Sequence, residues 1–108
     1  MEMAQYILSI LRTSPVIVLS WGFNRPMAIT NGLRFRVNGF LHSGLVEVIY
    51  EEGTDLFTVR TIANDGSIAK SEDGVYLDAL VDVIDNLVEK DTTNSEYKEK
   101  VENHYRLA

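Results

Sequence analysis

Four carboxylates, Asp78, Asp82, Asp85 and Glu89, recur at three- and four-residue spacing, which on a helix sets them along one side. Two kinds of chemistry suit such a row: docking a basic partner, or holding a divalent cation weakly. A cation needs oxygens converging at about 2.0–2.6 Å, which one convex helix face rarely supplies. Repulsion at this spacing costs only a few tenths of a kcal/mol per pair, so a solvated face is the first expectation and a docking face the second. His42 and His104 have no further ligand at a supporting spacing, so neither suggests a metal site. Ser43 stands beside His42 without the Gly-x-Ser-x-Gly elbow of a serine nucleophile. The seven glycines show no phosphate-loop spacing. With no cysteine, disulfides, thiol catalysis and cysteine-ligated zinc are excluded. No catalytic residue, metal or cofactor is expected, and an enzyme is not the expected class.

A second group of candidates is aromatic. Trp21, Phe23 and Arg25 lie together ahead of Pro26, and such residues are enriched at interface centres. They suggest an interaction surface, to which Phe40 is added; the competing expectation is that Trp21 and Phe23 cap the core while Asn24-Arg25-Pro26 turns the chain.

The element that must position all of these is the stretch from Leu33 to Ala63. Three runs of alternating apolar and polar residues are broken by Ser43-Gly44 and by Gly53, which predicts an antiparallel meander. A two-residue loop at Ser43-Gly44 sets Leu41 opposite Val46, Val37 opposite Tyr50 and Arg36 opposite Glu51. A loop at Gly53-Thr54 sets Tyr50 opposite Phe57, Val48 opposite Val59 and Glu47 opposite Arg60. Leu33, Phe35, Val37, Val46, Val48, Phe57 and Val59 then share one face. The other face mixes Arg34, Arg36, Glu47, Glu51 and Arg60 with Phe40, Ile49, Leu56 and Ile62. The apolar members of this second face suggest partial cover by a helix or by a second copy. Its arginines, interleaved with Glu47 and Glu51, are neutralised, so a base-stacking sheet is not expected. Gly39, inside a strand pattern, marks a bulge or a close approach, with the bulge preferred.

Around the meander, Met3, Tyr6, Ile7, Ile10 and Leu11 recur at helical spacing up to Arg12, before Ser14-Pro15. This short helix is expected to pack on its own sheet. Sharing it with a second subunit is the alternative. Val16–Phe23, apolar and rich in β-branched residues, predicts a covered strand. Ala28-Ile29-Thr30 before the Asn31-Gly32 turn, and Ile68-Ala69-Lys70 after Asn64-Asp65-Gly66-Ser67, predict short flanking strands, with Lys70 blunting an edge. Ser71 or Asp73 is the expected N-cap of the longest helix, Val75–Lys90, whose stripe is Leu77, Leu80, Val81, Ile84, Leu87 and Val88. Thr93 and Glu96 fit a capping box for a thinner helix over 95–106, and residues 91–108 are expected to dock loosely.

The runs Trp21-Gly-Phe, Asn31-Gly-Leu-Arg-Phe, Val37-Asn-Gly-Phe, Glu52-Gly-Thr-Asp-Leu-Phe and Gly74-Val-Tyr-Leu-Asp resemble a small group of uncharacterised bacterial proteins of the sort encoded on phage-like or conjugative elements. The resemblance spans about Ser20 to Glu89. It implies an accessory interaction protein and brings no activity and no site residues.

At 108 residues, 45% hydrophobic and 24% charged, the chain suits one globular domain over 1–108. A formal net charge of −6 argues against nucleic acid as the partner, because phosphate-backbone binding needs a basic footprint. No apolar run reaches a membrane span, and Glu2, Arg12 and Pro15 break the pattern of a secretion signal, so a cytoplasmic chain with no membrane partner is expected. The expected fold is α+β: a meander of four to five strands packed on a long helix in the C-terminal half, with short N- and C-terminal helices. The expected function is a non-catalytic interaction or accessory module, with a protein partner or a homo-oligomer. The alternative is a small-ligand binder or small enzyme with a pocket near Trp21, Gly39 and Tyr50.

Overall fold

In the computed structural model, which describes residues 2–89, the apolar spacing at the start of the chain winds into α1, Met3–Leu11. Ala4, Ile7 and Leu11, on one side of it, are buried, while Gln5, Ser9 and Arg12 face solvent. The expected helix is there, and it packs over the first two strands of its own sheet.

The next stretch overturns the expected strand at Val16–Phe23. Residues Pro15–Ser20 form a second short helix, α2. Pro15 opens it at a position where a missing N–H costs nothing. Periodicity alone cannot tell a short apolar run in a strand from one in a helix. Within α2 only Val18 is buried, and Val16 and Leu19 are 72% and 73% exposed.

Five strands follow: β1 (Asn24–Ile29), β2 (Gly32–Asn38), β3 (Ser43–Glu51), β4 (Leu56–Ile62) and β5 (Ile68–Val75). They form one antiparallel sheet in chain order. The β3–β4 register is the expected one, with Tyr50 opposite Phe57, Val48 opposite Val59 and Glu47 opposite Arg60. The β2–β3 register differs. Arg34 pairs with Glu47, Phe35 with Val46, Arg36 with Leu45 and Val37 with Gly44, so Arg36 does not meet Glu51. The slip is an even number of residues, so every side chain that stays in the two strands keeps its expected face. Its cause is a four-residue loop, Gly39–His42, closed by the Gly39 N–H donating to the His42 carbonyl (2.9 Å). Ser43 and Gly44 belong to β3.

Gly39 is therefore no bulge but a close approach. A Cβ there would strike the Val88 carbonyl oxygen and stand 2.6 Å from Val88 Cγ1. The β1–β2 turn is Thr30-Asn31, one residue earlier than expected, with Ile29 opposite Gly32. At the β4–β5 turn the Asp65 carboxylate accepts from the Ser67 N–H (2.9 Å) and hydroxyl (2.6 Å). Those bonds hold its pKa below the usual carboxylate value.

The longest helix is shorter than expected. Leu77–Ala79 form a 3-10 turn that runs into α3, Leu80–Val88, giving 12 helical residues. Ser71 and Asp73 do not cap it, because they lie in β5. The strand extends to Val75 because Val75 pairs with Phe57 and is buried. Leu80, Ile84 and Val88 are fully buried, worth about 1.5–3 kcal/mol each, and α3 lies over β4 and β5. Both α1 and α3 cover the same sheet face, and one contiguous core joins them to Leu33, Phe35, Val37, Val46, Val48, Phe57 and Val59. The expected helix over 95–106 and its capping box lie outside the described residues.

Candidate interaction surface

With both longer helices on one face, the opposite face of the sheet carries no helix among the described residues. Alternation along the strands assigns its members. Met27 and Ile29 come from β1; Arg34 and Arg36 from β2; Leu45, Glu47, Ile49 and Glu51 from β3; Leu56, Thr58, Arg60 and Ile62 from β4. Opposite Ile62, β5 adds Ile68. Leu45, Ile49, Leu56 and Ile62 are half-buried, while Met27 and Ile68 are 57% and 56% exposed. Gathered apolar side chains on an uncovered face commonly mark an interaction site.

At the centre of this face Arg34 holds Glu47. The guanidinium donates from Nε (2.9 Å) and Nη2 (2.5 Å) to one carboxylate oxygen, Oε2. Glu47 is only 9% exposed, and a carboxylate so placed needs a charged partner. Across the strands Glu47 also lies opposite Arg60. Among the described residues neither Arg36 nor Arg60 makes an ion pair. Towards the other end of the strands, Thr58 Oγ1 lies 3.1 Å from both Glu51 Oε1 and Asp73 Oδ1 and donates its proton to one at a time. These residues, with Gly53, Thr54, Leu56 and Gly74, line a shallow open cleft of about 370 Å³.

The two sheet edges are closed to pairing. In β1, Arg25 has φ +53° ahead of Pro26, and the register shifts between Asn24 and Met27. In β5 the register shifts twice, Gly74 has φ +66°, and Lys70, Glu72 and Asp73 are exposed. Bulges, proline and charge are the usual means of blocking edge-to-edge pairing.

The candidates read from sequence are sorted by burial. Trp21 is not a surface residue. It is fully buried, stacked on Phe35 at 6.4 Å, and its indole Nε1 donates to Asp85 Oδ1 (2.9 Å). Phe23 packs against Phe35 at 4.7 Å and is half-buried. Arg25 is exposed at the β1 bulge. Phe40 leaves the sheet for the Gly39–His42 loop, where its ring is exposed and its N–H donates to Glu89 Oε1 (3.3 Å). Of the four carboxylates, Asp78 and Asp82 are exposed, Asp85 holds the indole, and Glu89 is buried. Burial raises the Glu89 pKa, the Phe40 N–H opposes that rise, and Asp85 adds to it. The row thus divides into two solvated and two structural members.

The described residues do not bring Trp21, Gly39 and Tyr50 to one place. Trp21 and Gly39 lie at the end of the sheet where α3 terminates, with the Leu41 and His42 N–H groups donating to the Val88 carbonyl (2.8 and 3.3 Å). Tyr50 lies at the far end of β3, edge-on to Phe57 and bonded to Asp55. His42 Nε2 is 3.0 Å from the Leu45 carbonyl and serves the loop. Among the described residues no three His, Asp or Glu side chains are placed to hold a metal, and no helix is long and apolar enough to cross a membrane.

Sequence reading found Ile49, Leu56 and Ile62 on the open face and missed Met27, Leu45 and Ile68. Alternation across the Asn64–Ser67 turn could have placed Ile68 there, since it pairs with Ile62. Comparison with family models, curated proteins and solved structures finds no match.

Proposed function

We propose that this chain is a non-catalytic protein-interaction module whose working surface is the open face of the sheet. One observation carries the reading: both longer helices cover the same face, leaving Met27, Leu45, Ile49, Ile62 and Ile68 on the other around the Arg34–Glu47 pair. Apolar residues set around a paired charge make a mixed surface, and non-obligate interfaces taken whole are only about as apolar as the rest of a protein surface. The blunted edges favour docking on the face over strand addition. The aromatic and acidic candidates contribute less than the sequence suggested, since Trp21, Asp85 and Glu89 serve the fold.

The test is capture from a lysate of the host with three baits: the wild-type chain, Ile49→Lys on the open face, and Ser9→Lys on the outer side of α1. The expected result is one protein, another copy of the chain or a different one, held by the wild type and by Ser9→Lys and lost from Ile49→Lys. Equal capture by Ile49→Lys, with its melting temperature unchanged, would move the surface elsewhere.

A further inference from the structure

We infer that the occupant of the open face is the same face of a second copy, in a closed two-fold dimer. The inference rests on reading that face as an interaction surface and names its partner. What carries it is the segregation of charge along the strands. Four levels follow one another along β3, about 6.6–6.8 Å apart. The Leu45 level holds Arg36 and Ile62, and the Glu47 level holds Arg34 and Arg60. The Ile49 level holds Gly32 and Thr58, with Asp73 bonded to Thr58 from β5. The Glu51 level holds Leu56. Cations therefore occupy two levels at one end. Glu51 and Asp73 occupy the two levels at the other, and Glu47 is already held by Arg34.

A two-fold axis lying in the interface and crossing the strands at Val48 exchanges these ends. Arg60 then comes over Thr58 of the second copy, one strand spacing, about 4.8 Å, from its Asp73. Arg36 comes one strand spacing from Glu51 of the second copy. Ile62 meets Leu56, and Met27 meets Ile29. Gly32, lacking a side chain, leaves room opposite Arg34. Each contact occurs twice, as an isologous interface requires. Sheets packed face to face tolerate the rotation of about 30° that their twist imposes. The face is about 19 Å across five strands, at the small end for a specific interface, so the dimer is expected to depend on concentration. The exposed acidic residues Asp78, in the 3-10 turn, and Asp82, on α3, take no part.

Sedimentation of the full chain over a range of concentrations, with charge-exchange variants, tests this. The wild type is expected to form dimers and nothing larger. Arg36→Glu and Glu51→Lys, both at exposed positions, should each associate at least about tenfold more weakly. An equimolar mixture should restore a dimer holding one copy of each, because both charge pairs then match, one native and one exchanged. Asp78→Lys with Asp82→Lys should associate like the wild type. Should Glu51→Lys fail to fold, Arg60→Glu and Asp73→Lys form the substitute pair. A mixture no stronger than its parents, open-ended assembly, or loss of association in the α3 variant would each overturn the two-fold arrangement. A wild type that stays monomeric while Ile49→Lys still loses a different captured protein overturns the second copy as occupant and leaves the open face a docking surface. A monomer with no captured partner overturns both readings.

Discussion

Trp21 and Asp85 are 64 residues apart in sequence, and their hydrogen bond ties the end of α2 to α3. Replacing Trp21 by Phe removes three ring atoms, the donor nitrogen among them, from a site that is fully buried. A bond to a charged acceptor contributes about 1.5–3 kcal/mol. Asp85 is half-exposed, so water partly replaces the indole and about 1.5 kcal/mol is the better figure. The lost ring atoms add roughly 2 kcal/mol, so Trp21→Phe should cost about 3–4 kcal/mol in all. Asp85→Ala should cost about 1.5–2 kcal/mol, chiefly by leaving a buried indole N–H without an acceptor. The double variant should cost no more than Trp21→Phe alone, a coupling of about 1.5 kcal/mol. Urea unfolding followed by far-ultraviolet circular dichroism is the suitable assay, because Trp21 is the only tryptophan. A coupling under about 0.3 kcal/mol would refute the reasoning and return Asp85 to the solvated row with Asp78 and Asp82.

Two further predictions concern the junction of the Gly39–His42 loop with the end of α3. Gly39→Ala should lower stability by about 2–3 kcal/mol, a fall of roughly 4–8 °C in melting temperature per kcal/mol. The new methyl would meet a carbonyl that holds two loop N–H groups; a fall under about 2 °C would show that the loop yields freely. For Glu89 the folded pKa is raised above the ordinary value of 4.5, so the stability that protonation gives is full below about pH 4.5 and is lost as pH rises through the raised value. Glu89→Gln, uncharged throughout and still an acceptor for the Phe40 N–H, should melt about 4–8 °C above the wild type at pH 7, roughly 1 kcal/mol. That advantage should disappear below pH 4.5, and melting curves from pH 3.5 to 8 that run parallel would count against a buried, charged Glu89.

The second hairpin was legible because alternation and the Gly53 turn agree: Tyr50, Val48 and Glu47 meet Phe57, Val59 and Arg60 as the pattern requires. The first was half legible. Parity fixed the faces, but two turn signals compete there, and the loop at Gly39 wins because α3 ends against it. The six residues of α2 were not legible, since a short run of β-branched residues carries no period of its own. In β5, Ser71 and Asp73 read as the N-cap of a helix. Only the pairing of Val75 with Phe57, decided across the sheet, makes them strand. The burial of Trp21 depends on Asp85 and Phe35, both distant in sequence. The open face was visible as apolar residues out of place on a polar side, whereas the absence of a covering helix among the described residues depends on where α1 and α3 pack.

Oxidative footprinting of the chain, free and dilute and then associated, bears most directly on the open face. Met27 and Ile68 report on that face, while Val16 and Leu19 on α2 are more exposed still and lie away from it. Methionine oxidises readily when accessible. Slower oxidation of Met27 and Ile68 on association, with Val16 and Leu19 unchanged, is the expected result. Unchanged Met27 and Ile68 beside protected Val16 and Leu19 would place the interaction on α2 and contradict the assignment of the sheet face.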